Sequence, residues 1–186
     1  LLRSIMNLGP RVEGEITLFD KQLQGLSADA RARAGIAFMS QEMRVFPELT
    51  IEENCTVAGH VVASPRPLEE VLAMIPELKE HLRRPAGRMS GGQQQLVALA
   101  RCLTMDSPML LMDEPTEGLM PTLVHRIGQI IRSMAADKSV TVLLVEQNVS
   151  LGLSSCKSIY FIEKGRIVAS GAPESVVKDG MLERYL

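Results

Sequence analysis

Met109-Leu110-Leu111-Met112-Asp113-Glu114-Pro115 runs four apolar residues straight into two adjacent carboxylates and a proline. Four such residues read as a buried strand, and a strand of that kind ending in acids is costly unless the acids emerge at its open carboxyl end. That end is where parallel sheets gather ligands. Asp113 could there hold Mg²⁺ through water while Glu114 orients an attacking water, the pair of tasks that phosphoanhydride hydrolysis needs. An isolated Asp-Glu is more often an ordinary acidic turn, so its surroundings decide the reading.

Upstream stands Gly87-Arg88-Met89-Ser90-Gly91-Gly92-Gln93-Gln94-Gln95, leading into an amphipathic helix with Leu96, Val97, Ala100 and Leu103 on one side. Glycines at a helix start leave backbone N–H groups uncovered, and the positive helix end favours an anion. Taken alone, Ser-Gly-Gly is also a common N-cap. Downstream, the pattern predicts a helix over 122–136, a strand over 140–145, a helix over 148–155 and two strands around 159–162 and 166–169. Towards the N-terminus, Leu1, Leu2, Ile5 and Leu8 suggest a helix stopped by Gly9-Pro10, and Glu15 to Phe19 alternates like a strand. Ser27 opens a short polar helix with Asp29 and Arg31 in it, and Ile36 to Met39 reads as a buried strand running to Ser40-Gln41. Thr50 and Glu53 form a capping box before another helix. Prolines 65, 67, 76 and 85 punctuate a small helical insert. Strands alternating with helices predict an α/β domain with a mostly parallel sheet and flanking helices.

Composition narrows the function. The 186 residues carry a net charge of −2 and no Trp, and no basic block of the kind that tracks a phosphate backbone, which argues against nucleic-acid binding. Cys55, Cys102 and Cys156 are odd in number and far apart, so neither a disulfide framework nor a zinc site is suggested and a reducing, cytosolic setting fits. The longest apolar runs are strand-sized, well short of the roughly 20 residues that span a bilayer. His60, His81 and His125 lack metal-ligand spacing and are expected to be structural. Arg83, Arg84 and Arg101 are expected to be solvated charges or local ion pairs, with Arg101 placed to help pack its helix.

Ser90-Gly91-Gly92-Gln93, a helix with Ala100-Arg101, then a strand ending Asp113-Glu114-Pro115-Thr116, with Gln41 at an upstream strand end, resembles the signature, Walker B and Q-loop segments of the ABC ATPases. The resemblance covers the whole chain, 1–186, as one nucleotide-binding domain with a helical subdomain at about 50–104. It implies a P-loop NTPase-like fold, ATP and Mg²⁺ as cofactors, Glu114 and Gln147 in catalysis, and Gln41 and Asp113 at the metal. Ser90, Gly91, Gly92 and Gln93 would contact the γ-phosphate of ATP held by a second ATP-binding subunit in a head-to-tail homo- or heterodimer. Transmembrane permease subunits, and indirectly a substrate-binding protein, would complete the assembly at the cytoplasmic face of the membrane. The stretch Gln41 to Asn54 would face the permease.

Ala32 to Gln41, Val45 to Asn54 and Asp113-Glu114-Pro115-Thr116-Glu117-Gly118-Leu119-Met120-Pro121 look like the ATP-binding subunits of branched-chain amino acid importers, a pattern that urea and short-chain amide importers share. Two features depart from the family. None of the six lysines follows a glycine, so the phosphate-gripping loop G-x-x-x-x-G-K-[ST] is absent, and with it the first strand expected before Leu1. A chain truncated before residue 1, which folds poorly and is inactive alone, is the expectation; a non-catalytic partner subunit is the alternative. Secondly, Gln147 stands where most relatives place a His. A glutamine amide can donate a hydrogen bond but cannot take up a proton.

Overall fold

The computed structural model describes residues 1–10, 12–42, 45–137 and 139–185. The first helix, α1 (Leu2–Ile5), is shorter than its apolar spacing suggests. Asn7 adopts φ 57°, and the N–H groups of Asn7 and Leu8 donate to the carbonyls of Ser4 and Arg3 at 3.1 and 2.8 Å. That paired closure is the Schellman motif, with Asn in the left-handed position it tolerates better than most residues. The expected strand from Glu15 to Phe19 also contracts, to β1 (Thr17–Leu18), because Phe19 enters the turn at φ 50°; β2 (Lys21–Gln22) pairs with it antiparallel.

Ser27 precedes α2 (Ala28–Arg33), but its hydroxyl donates to the Asp29 carboxylate and gives the helix no backbone cap. This polar helix is not wholly solvated. Arg31 is buried, and its guanidinium donates to the carbonyls of Leu26 at 3.1 Å, Ser4 at 3.3 Å and Ile5 at 2.6 Å. It thereby adds a second donor to the Ser4 carbonyl and serves the Ile5 carbonyl, both at the end where a helix leaves its carbonyls open. Gly35 (φ 112°) then turns the chain into β3 (Ile36–Met39); a Cβ there would lie 3.0 Å from the Pro108 ring.

Helix α3 (Ile51–Gly59) starts at the predicted capping box: Thr50 Oγ1 accepts from the Glu53 N–H at 3.2 Å, and the Glu53 carboxylate accepts from the Thr50 N–H at 2.8 Å. After α4 (Leu68–Met74) and a 3₁₀ turn over Pro76–His81 comes α5 (Gly91–Thr104). Then follow β4 (Met109–Asp113), α6 (Pro121–Ala136), β5 (Thr141–Val145), α7 (Val149–Ser155), the antiparallel pair β6 (Ile159–Glu163) and β7 (Arg166–Gly171), α8 (Pro173–Lys178) and α9 (Met181–Tyr185).

The central sheet is parallel, ordered β3-β4-β5, with Met39 opposite Met112 and Asp113 opposite Val145. Successive residues of a strand face opposite sides, and this alternation sorts the core. Ala37, Met39, Leu110 and Met112 join Ile51, Val71, Leu99 and Ile130 in the larger apolar cluster, which fuses α3, α4, α5 and α6 to one face. Ile36 and Leu111 join Leu2, Met6, Leu18 and Leu23 on the other. β5 is a continuous apolar run of the kind found in strands covered on both faces, yet among the described residues only β4 pairs with it. No helix among the described residues is long and apolar enough to cross a membrane.

Candidate functional site

β4 is buried along Leu110 to Met112, and its parallel register brings its carboxyl end beside those of β3 and β5. Three loops therefore leave the sheet together, carrying Gln41, Asp113-Glu114 and Glu146-Gln147. At this edge Gln41 Nε2 donates to Glu114 Oε2 at 3.0 Å, while Gln147 Nε2 donates to Glu114 Oε1 at 2.7 Å. Two amides from flanking strands thus hold the two oxygens of one carboxylate. Glu114 sits at φ 46°, a left-handed conformation that costs a non-glycine residue about 1–3 kcal/mol and persists only where its surroundings over-determine it.

The surroundings do so residue by residue. The Glu114 N–H donates to the Val145 carbonyl at 2.9 Å. Gln95 reaches from α5 to donate its amide to the Pro115 carbonyl at 2.7 Å. Thr116 donates both its N–H and its hydroxyl to Glu146, at 3.2 and 2.7 Å.

Asp113 lies at the end of β4, half-buried beside Glu114. Burial, and next the Glu114 charge, push its carboxyl above the usual carboxylate range. An acid disfavoured in its charged form by burial and by a neighbouring carboxylate is one that a bound cation relieves. Among the described residues no three His, Cys, Asp or Glu side chains cluster as a self-sufficient metal cage. One or two carboxylates are nonetheless the protein share of a hydrated Mg²⁺ whose other ligands are water and phosphate. Asp113 fits that role chemically.

Ser90, Gly91, Gly92 and Gln93 lie at the N-terminus of α5, and the hydrogen bonds around Glu114 do not include their side chains. Ser90 and Gln93 are joined as a second capping box, with Ser90 Oγ accepting at 3.3 Å and Gln93 Oε1 accepting at 3.1 Å. A Cβ on Gly92 would fall 2.4 Å from a Leu123 methyl, so this helix start packs closely on α6. Arg101 on the same helix places its guanidinium 5.0 Å from the Phe46 ring centre and so helps to pack α5, as its position suggested. Of the stretch Gln41 to Asn54, Met43 and Arg44 lie outside the described residues.

Sequence reasoning missed three residues here. Glu117 accepts a second hydrogen bond from Gln41 Nε2 at 2.7 Å. Gln95 is buried in an otherwise apolar helix face, and that polar interruption was a readable signal. Glu146, next to Gln147, carried none.

Residues 1–117 match the sequence profile of the family described as ABC transporter. The chain belongs to the ABC transporter family. It is 32% identical over 187 residues to the probable branched-chain amino acid transport ATP-binding protein LivF of Archaeoglobus fulgidus, covering 99% of this chain and 79% of the relative. It is 36% identical over 171 residues to the high-affinity branched-chain amino acid transport ATP-binding protein BraG of Pseudomonas aeruginosa, covering 90% of this chain and 73% of that one. Among solved structures it is similar, with TM-score 0.80 and 24% identity, to the dimeric post-hydrolysis state of the ATP-binding cassette MJ0796 bound to ADP and Pi; 92% of this chain and 78% of that chain are covered. The fold is that of an ABC ATP-binding cassette, and the loops leaving its parallel sheet are those around Glu114.

Proposed function

We propose that this ABC cassette chain belongs to the ATP-hydrolysing subunit of an importer for branched-chain or other hydrophobic amino acids. The observation that carries the catalytic part is the convergence of Gln41 and Gln147 on the two oxygens of Glu114. An ionised carboxylate offers about four acceptor directions; the two amides use one on each oxygen and fix the rest in space. Glu114 is then a preset water-orienting group or general base, and fixing the base costs nothing at the moment of reaction.

Asp113 and Gln41 would hold Mg²⁺, which when bound supplies charge neutralisation on the β- and γ-phosphates. Gln147 keeps Glu114 aligned and moves no proton. Ser90 to Gln93, presented at the start of α5, serve a nucleotide on a second ATP-binding subunit; the dimeric cassette with a similar fold supports that arrangement. The amino acid cargo rests on the two relatives named for branched-chain amino acid transport. Permease subunits would hold the cassette at the cytoplasmic membrane face. With no lysine after any glycine, these 186 residues alone are expected to turn over no ATP.

The test is to express the reading frame that encodes Leu1 from its own start codon and assay Mg-ATP hydrolysis with and without Glu114→Gln. A preceding Gly-Lys-Ser/Thr loop and turnover reduced by a hundredfold or more on substitution, the scale expected for a lost general base, support the reading. A start codon adjacent to Leu1 with no turnover would replace it with a non-catalytic partner subunit.

A further inference from the structure

Glu146 lies between β5 and Gln147, and its two oxygens serve different loops. Oε2 accepts from the Thr116 N–H at 3.2 Å and from Thr116 Oγ1 at 2.7 Å. Oε1 accepts from the backbone N–H groups of Gln147 and Asn148, each at 3.0 Å. Thr116 is two residues beyond Glu114 and buried. A single side chain therefore ties the loop that carries Glu114 to the loop that carries Gln147.

All four partners are donors in this arrangement. An ionised carboxylate accepts on both oxygens with no hydrogen of its own to set against these donors, whereas a glutamine of the same shape would turn an NH₂ group towards either Thr116 or the Gln147–Asn148 amides. Such charge-assisted bonds are also roughly twice as strong as neutral ones. The requirement is thus for the charge and its two-sidedness, not for a polar side chain in general.

We propose that Glu146 is a positioning residue for the reaction centre, setting the two loops in the register at which the Gln147 amide meets Glu114 at 2.7 Å. The mechanistic value of that register rests on Glu114 acting as the water-orienting carboxylate. Glu146 itself touches no reacting atom; it acts through the backbone on either side of it.

The test uses ¹⁵N-labelled protein expressed from its own start codon, with two variants, Glu146→Gln and Thr116→Val, the second keeping the branched shape while removing one donor. Side-chain amide resonances of Gln147 and hydrogen exchange of the Thr116, Gln147 and Asn148 amides are compared with those of Leu111 in the core. Glu146→Gln is expected to lower protection of the three amides on the order of tenfold, the scale of one lost charged hydrogen bond, and to move the Gln147 side-chain signals while leaving Leu111 unchanged. Thr116→Val should move the same Gln147 signals by less, and it carries the test if Glu146→Gln fails to fold. Unmoved Gln147 signals in a folded variant, or protection lost equally at Leu111, would overturn the proposal. Because neither readout involves hydrolysis, a failure of the ATPase reading would show separately, as turnover indifferent to Glu114→Gln.

Discussion

The Gln147 side-chain amide donates to Glu114 Oε1 at 2.7 Å, from a different strand end and across 33 positions of sequence. An amide carries no titrating proton, so this contact keeps its sense across the physiological range. On the proposed ATPase reading, Gln147→His in the protein expressed from its own start codon is expected to add a limb to the pH profile of kcat that the parent lacks. Imidazole ionises near 6.5, and a neighbouring carboxylate raises that value. Below it, His⁺ would pair with Glu114 and weaken it as a base, so rates should fall as pH drops through about 7. Superimposable profiles between pH 5.5 and 8.5 would show that position 147 does not govern Glu114.

Asp113 makes a second pH prediction, with the opposite sense from an ion-paired acid. Its folded-state carboxyl is raised by burial and by Glu114, so the native state binds its proton more tightly than the unfolded chain does. Stability from this group is present at low pH and is lost as pH rises through the unfolded value and then the folded one. Asp113→Asn should therefore raise the melting temperature at pH 7 and lose that advantage at pH 3. A variant less stable than its parent at pH 7 would contradict the burial and charge argument.

Gln95 sets two opposed costs against each other. Its amide satisfies the Pro115 carbonyl, but its own Oε1 is buried without a partner among the described residues. Gln95→Met removes the unsatisfied oxygen and strands the carbonyl, each effect being about 1–3 kcal/mol. The net change in urea unfolding should stay within about 1 kcal/mol. Gln95→Ala adds a cavity and should cost about 2–3 kcal/mol. A large loss with Met would show that the carbonyl bond outweighs the orphaned oxygen.

Thr50 tests a local device. Its hydroxyl closes the capping box that starts α3, and Ile51 beneath it is fully buried. Thr50→Ala should cost about 1 kcal/mol, read as a lower denaturation midpoint with an unchanged slope. Thr50→Ser should recover most of that loss, since it restores the oxygen.

Much of this architecture was legible locally. The apolar runs at Ile36 to Met39, Met109 to Met112 and Val142 to Val145 became the three parallel strands, and both the Thr50 box and the long helices fell where periodicity placed them. The errors were also local in origin. Asn7 and Phe19 took left-handed backbone conformations that shortened α1 and β1, and single residues of that kind leave no trace in a pattern of apolar spacing.

By itself the sequence determined which segments must be buried and that two acids must emerge from one of them, because burial energy follows residue type and period. It also limited what position 147 can do, since a glutamine amide cannot take up a proton. Only the tertiary structure decided who touches Glu114. Gln41, Glu117, Gln95 and Glu146 reach the Glu114–Thr116 loop or its partners across 20 to 76 positions. Those contacts depend on the order and register of three parallel strands, and hydrogen bonding is decided over tenths of an ångström. Arg31 shows the same limit from the other side: in sequence it is one more charge on a polar helix, and in the fold it closes the end of α1.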